Sequence, residues 1–163
     1  MERKISNDII LYNCQFYTIL NRDEDNGCPG WSGRFGNIFN YKYLIFPLHI
    51  HTNHWVVISI DFRNKIISYY DSMLSNTEEG KLKSNQILLY LNAEYKRFNN
   101  TNNNLIHYNT WSSNIKVLDD LEKQTNTYDC GIYSLAYVSF LAHEIDVHKI
   151  KQIDMAIYRS EIG

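Results

Sequence analysis

Gln124-Thr-Asn-Thr-Tyr-Asp-Cys130-Gly131 runs straight into an apolar stretch that ends near His143. Polar, turn-prone residues followed by a helical pattern put Cys130 at the N-terminus of a helix predicted from Gly131 to about His143. A thiol in that position feels the positive end of the helix dipole, which favours its thiolate. Gly131 removes a side chain where an incoming carbonyl has to approach the backbone. One short loop upstream, the Gln124 side-chain NH2 joins the Cys130 amide as a second donor for an oxyanion. Ile132, Leu135, Ala136, Val138, Ser139 and Leu141 make this helix apolar almost all round, the pattern of a helix buried centrally.

A nucleophile needs a base and a group to orient that base. His54-Trp-Val-Val-Ile-Ser-Ile60 and Lys65-Ile-Ile-Ser-Tyr-Tyr70 read as two strands joined by the turn Asp61-Phe-Arg-Asn64. His54 opens the first strand and Asp71 leaves the second. The hairpin therefore brings them to one end, where Asp71 can accept from the imidazole and fix its tautomer.

Around this centre the chain divides simply. Asn7–Leu20 has a nearly helical apolar face, capped by Asn7 or Asp8. Asn21–Gly36 is a loop rich in glycine and charge, and Tyr43–Pro47 a buried strand ending at proline. A helix is expected from about Thr77 to Arg97, with Leu82, Ile87, Leu88, Leu91 and Tyr95 inward. The tract Asn99–Asn104 reads as a solvated loop, Ile115–Leu118 as a strand, and Val147–Arg159 as a closing amphipathic helix.

With 163 residues the chain suits one domain with a real core. A net charge of -2 argues against a nucleic-acid binder working through a basic face. No stretch has membrane-spanning length, and Asn7, Asp8, Asn13 and Gln15 interrupt any signal-peptide core. Three widely spaced cysteines, Cys14, Cys28 and Cys130, fit a reducing compartment. The expected location is cytoplasmic or nuclear, with delivery as a leaderless effector also open.

Taken singly, each site residue has a plainer explanation. A lone Cys is usually a small buried hydrophobe, and an Asp at a strand end is commonly a turn residue. His49, His51 and His54 form H-x-H-x-x-H, but no Cys or carboxylate cluster completes a metal site there. Neither a metal nor an organic cofactor is implied. Tyr69-Tyr70 and Phe16-Tyr17 read as core.

Together these segments resemble the ubiquitin-like-protein (SUMO/sentrin-type) cysteine protease family of the adenovirus-type protease clan. The similarity lies in Phe46-Pro-Leu, His54-Trp-Val-Val-Ile-Ser-Ile-Asp61, Lys65-Ile-Ile-Ser-Tyr-Tyr-Asp71-Ser-Met73, Gln124-x-Asn126-x-x-Asp129-Cys130-Gly131, and Gln152-x-Asp154 followed by Arg159. It is good from about Tyr43 onward, and the part up to about residue 42 is divergent. The family's N-terminal Trp-Leu-Asn-Asp-x-Ile-Ile is reduced here to Ile5-Ser-Asn-Asp-Ile-Ile10, so one of the two tunnel tryptophans is missing. Trp31 is a candidate replacement.

The resemblance implies a papain-like α+β fold over 1–163, a single cysteine protease domain with a central mixed or antiparallel sheet packed by helices. It implies Cys130 as nucleophile, His54 as base, Asp71 as orienter and Gln124 as oxyanion donor. Trp55 would wall a narrow tunnel for a Gly-Gly tail, with Gly131 beside it. The partner would be a ubiquitin-like modifier and its conjugates: SUMO first, with the neddylation modifier or ubiquitin as alternatives. A viral-type polyprotein-processing protease and an effector acetyltransferase use the same residues and stay open. A non-catalytic module has no need of Gln124 or a free Cys130.

Overall fold

The computed structural model describes residues 3–6, 8–20, 31–73, 77–99, 110–111 and 113–162. Six strands lie in one mixed sheet in chain order: β1 (Arg3–Ser6), β2 (Ile9–Leu11), β3 (Tyr43–Ile50), β4 (His54–Asp61), β5 (Ile66–Tyr70) and β6 (Ile115–Leu118). β2 with β3 and β5 with β6 are parallel, and the other neighbours are antiparallel. Helices α1 (Gln15–Leu20) and α2 (Thr77–Asn99) precede the cysteine helix α3 (Cys130–Ala142), and α4 (Met155–Ile162) follows it. The architecture is α+β and papain-like, as expected.

Both faces of the central strands are covered, which is why β3 and β4 are apolar at nearly every position. Successive side chains alternate between two cores. Leu44, Phe46, Leu48, Val56, Ile58 and Ile60 join Tyr12, Phe16, Ile87, Leu88 and Leu91 on the α2 side. Ile45, Val57 and Tyr70 meet Tyr133, Ala136 and Tyr137 of α3 on the other. The β4–β5 turn is held by Asp61, whose Oδ1 accepts from the backbone N–H groups of Arg63 and Asn64 at 3.0 and 2.9 Å.

Several local expectations are corrected. The start of Asn7–Leu20 is strand β2, and helix begins only at Gln15. Its partner β3 lies far along the chain and supplies hydrogen bonds that no local pattern announces. β3 does not stop at Pro47 but continues to Ile50. Tyr12 donates to the Ile45 carbonyl at 3.0 Å, so alternation turns the Pro47 nitrogen the same way, beyond the end of β2, where no ladder bond is lost.

Leu82 is 62% exposed. The inward positions of that part of α2 belong to the small residues Gly80 and Ser84, which let the helix come close to the sheet. In α3, Leu135 is 49% exposed because the sheet covers only one side of the helix. The C-terminal segment is two 3-10 turns, Val147–Lys149 and Gln152–Asp154, before α4. Residues 21–30, and 100–104 of the asparagine tract, lie outside the described residues, and Trp31–Arg34 form a 3-10 turn.

A Cβ added at Gly80 would sit 2.8 Å from Val117 Cγ2 and 3.0 Å from Tyr69 Cδ1. Alanine gains up to about 1 kcal/mol in helix propensity, while overpacking a stiff β-branched neighbour costs about 1–3 kcal/mol. Gly80→Ala should therefore lower stability by about 1 kcal/mol. A urea midpoint at or above that of the wild type would show that α2 shifts freely.

Candidate active site

The antiparallel register of β4 and β5 pairs Val57 with Tyr70. It leaves His54 and Asp71 at one end of the sheet, one residue past the ladder on β5. His54 Nε2 lies 2.8 Å from Asp71 Oδ1, and both side chains are buried. A carboxylate only accepts, so Nε2 carries the proton and Nδ1 keeps its lone pair. Asp71 is itself fixed, its Oδ1 accepting from the Met73 N–H at 2.8 Å.

Cys130 is the first residue of α3 and is buried. Its sulfur faces the Asn53 carbonyl at 3.8 Å. Nδ1 of His54, the nitrogen left for the sulfur, is buried and takes no hydrogen bond from the described residues. The thiol–imidazole hydrogen bond is thus unformed in this geometry. Burial pushes the His54 imidazole down, but its hydrogen bond to Asp71 and the neighbouring Cys130 outweigh that and hold its pKa above the ordinary value.

Gln124 is anchored three ways. Its N–H donates to the Ser72 carbonyl at 2.7 Å. Its Nε2 donates to the Asn126 carbonyl at 2.6 Å, and its Oε1 accepts from Ser72 Oγ at 2.6 Å. A carbonyl cannot donate, so the amide nitrogen must face Asn126 and the Ser72 hydroxyl must be the donor on the other side. One N–H of Gln124 stays uncommitted by these contacts. Ser72 is almost fully buried. In sequence it stands only as part of the Asp71-Ser-Met73 motif, with no role of its own, so its contact with Gln124 was missed. Lys123 was missed too; its Nζ donates to the Asp71 carbonyl at 3.0 Å, and burial lowers its pKa.

Asp129 occupies the N-cap position of α3 without capping it. Its Oδ2 accepts from Asn126 Nδ2 at 2.7 Å and Gln152 Nε2 at 2.8 Å, and its Oδ1 from Arg159 Nη2 at 2.6 Å. Burial pushes its carboxyl up, but these three donors prevail and hold it below the usual carboxylate range. Gln152 and Arg159 were legible as part of a motif, but their target was not.

Trp55 sits across from His49 in the β3–β4 ladder, their rings 4.7 Å apart. A Cβ on Gly131 would come 3.8 Å from Trp55 Cδ1, an ordinary contact distance, so the two residues are neighbours beside Cys130. Trp31 packs on Tyr12 and Phe16, at ring separations of 6.4 and 5.7 Å, in the α2-side core. The three histidines part ways: His49 on Trp55, His51 with Glu79, and His54 with Asp71. Among the described residues no group of three or more His, Cys, Asp or Glu is placed to hold a metal ion, and no helix is long and apolar enough to cross a membrane.

Residues 2–163 match the Ulp1 protease family, C-terminal catalytic domain. The chain belongs to this family. Sentrin-specific protease 3 of Mus musculus is 30% identical over 132 residues, covering 81% of this chain and 21% of that protein. Sentrin-specific protease 2 of Homo sapiens is 26% identical over 152 residues, covering 93% and 24%. The chain thus spans about a fifth to a quarter of these curated relatives. Among solved structures, the SUMO protease Ulp1 with its catalytic cysteine oxidized to a sulfenic acid superposes with a TM-score of 0.77 at 23% identity, over 95% of this chain and 66% of that one. The Xanthomonas campestris effector XopD bound to ubiquitin gives 0.60 at 18% identity, over 88% and 65%. Both show that the Ulp1-family fold is present.

Replacing Asp71 by Asn swaps the carboxylate whose hydrogen bond most raises the His54 pKa for a neutral, weaker acceptor. An NMR titration of the His54 ring should show a midpoint above about 6.5 in the wild type and a lower one in Asp71→Asn. An unchanged midpoint would mean that Asp71 does not tune the imidazole.

Proposed function

We propose that residues 1–163 form one catalytic domain, a cysteine peptidase that cleaves after the C-terminal Gly-Gly of a ubiquitin-like modifier. The observation that carries this reading is the buried His54–Asp71 pair at 2.8 Å, set at the end of the sheet where α3 presents Cys130. SUMO is the first candidate substrate, because the relatives of this chain are named sentrin-specific proteases.

In this reading His54 Nδ1 takes the thiol proton and the Cys130 sulfur attacks the terminal glycine carbonyl. The oxyanion is received by the Cys130 N–H and the uncommitted N–H of Gln124, a contribution of roughly 3–4 kcal/mol per donor. The imidazolium then protonates the leaving amine of a lysine conjugate, leaving a thioester on Cys130. His54 next draws a proton from water, which attacks the thioester and frees the modifier's carboxylate. Trp55 and Gly131 bound a slot that suits a glycine tail, and contacts to the folded modifier outside it supply the positioning energy.

Incubation with SUMO, ubiquitin and the neddylation modifier, each tipped with a C-terminal electrophile, tests this directly. A mass adduct with one of them, absent in Cys130→Ala, is the expected result. Adduct formation by pure Cys130→Ala protein would sink the assignment of the nucleophile. Gln124→Ala should slow acylation by roughly two to three orders of magnitude, measured in single turnover. A rate close to that of the wild type would remove Gln124 from the oxyanion site.

A further inference from the structure

The peptidase mechanism uses Gln124 and Cys130 but leaves unexplained a set of partly buried polar contacts behind the loop that joins them, which reach from buried Asp129 out to the half-exposed Arg159. Asn126 Oδ1 accepts from the backbone N–H groups of Tyr128 and Asp129 at 3.1 and 3.0 Å, folding residues 126–129 into a tight turn. The same side chain donates to Asp129 Oδ2 at 2.7 Å. The carbonyl of Asn126 in turn holds the Gln124 amide nitrogen at 2.6 Å. The Gln124 amide is therefore aimed by two contacts, Ser72 Oγ on its oxygen and the Asn126 carbonyl on its nitrogen, and the second depends on the turn that Asn126 and Asp129 hold.

Two residues from the C-terminal segment secure this turn from behind. Gln152 Oε1 accepts from the Thr125 N–H at 3.1 Å, and its Nε2 donates to Asp129 Oδ2 at 2.8 Å. Gln152 is itself held by Glu122, which accepts from its backbone N–H at 2.7 Å. Arg159, from α4, supplies the only charged donor that reaches Asp129 among the described residues, at 2.6 Å. An Asp before the first turn of a helix ordinarily accepts from that turn's N–H groups. Here its carboxylate is drawn the other way, into the turn that carries Gln124.

We propose that Arg159 is a positioning residue for the oxyanion site: through Asp129 and Asn126 it fixes the carbonyl that aims the Gln124 amide, without itself touching substrate. This inference rests on the peptidase reading above. It makes α4 a strut for catalysis rather than a mere closing element. Arg159 reaches the reacting atoms through the 124–129 loop, whose last residue is bonded to Cys130, so its effect on the oxyanion has to be read against the reactivity of the thiol itself.

The test compares wild type, Arg159→Ala, Arg159→Gln, Gln124→Ala and the Arg159→Ala/Gln124→Ala double variant. The substrates are coumarin amides of SUMO, ubiquitin and the neddylation modifier, using whichever the wild type cleaves fastest. Alkylation of Cys130 by iodoacetamide is followed in parallel, because that reaction needs the thiol and imidazole but no oxyanion donor. Arg159→Ala should lower kcat roughly 10- to 100-fold, the scale of a misplaced catalytic group. Its KM and alkylation rate should stay within about twofold. Arg159→Gln, which keeps a donor, should fall between. The double variant should be no slower than Gln124→Ala, because the residue through which Arg159 acts is already gone. Losses that multiply in the double variant, or alkylation that falls in step with kcat in both Arg159 variants, would overturn the inference. A slow Gln124→Ala beside a fully active Arg159→Ala would overturn it while sparing the mechanism. A wild type that cleaves none of the three amides, or an unaffected Gln124→Ala, would overturn the reading beneath it as well.

Discussion

The pairing of β4 with β5 is the constraint on which the site depends. Strand side chains alternate with period two, so a one-residue slip would turn the whole of one strand to the other face. Val57 against Tyr70 is the register that places Asp71 within 2.8 Å of His54. A slip would separate them and also send Ile58 and Ile60 out of one core and Val57 out of the other. The same hydrophobic alternation that stabilises the sheet thus enforces the geometry of the dyad. Placing His54 against Asp71 needs no separate device on this side.

The other half of the site is held differently. Cys130 and Gln124 lie at the two ends of a loop, where no ladder fixes register, and side-chain hydrogen bonds take over. Ser72, next to Asp71, grips Gln124 on one side and Asn126, on the way to Cys130, grips it on the other. Asp129 forgoes the N-cap of α3 to serve that loop, which leaves the first-turn amides of the helix without a side-chain cap. A helix end stripped of its own cap is less stable by roughly 1 kcal/mol, and it is also a place where a developing anion finds donors already pointed at it. In the proposed mechanism the local weakness and the chemical use have one origin.

What the sequence disclosed follows from the range of the interactions concerned. The hairpin, α2, β6 and the start of α3 rest on local periodicity and turn chemistry, and each stands where it was expected. His54 and Asp71 could be paired because their strands are consecutive. β2 was invisible because Ile9–Leu11 finds its partner in β3, more than thirty residues away, and a three-residue apolar run carries no period of its own. Leu82 was misplaced because Gly80 and Ser84, small residues without apolar weight, mark the inward face. The contacts of Ser72, Gln152 and Arg159 join segments that are distant in the chain and polar in composition, so nothing short of the fold announces them.

The two halves also respond oppositely to pH. The His54 pKa is raised in the folded state, so its contribution to stability is complete below the ordinary histidine value and is lost as pH rises through the folded one. Asp129 is depressed, so its contribution is present above the ordinary carboxylate value and is lost as pH falls through the folded one. Between those limits both the dyad and the loop frame are at their firmest. In the proposed mechanism, proton transfer from Cys130 requires Nδ1 of His54 to be free, a state reached only as the stabilising imidazolium is given up. In that mechanism the raised pKa sets the base form of His54 against the most stable form of the fold. The buried Asp71 carboxylate reconciles them, since it holds Nε2–H in either protonation state and keeps the ring in place after its charge has gone.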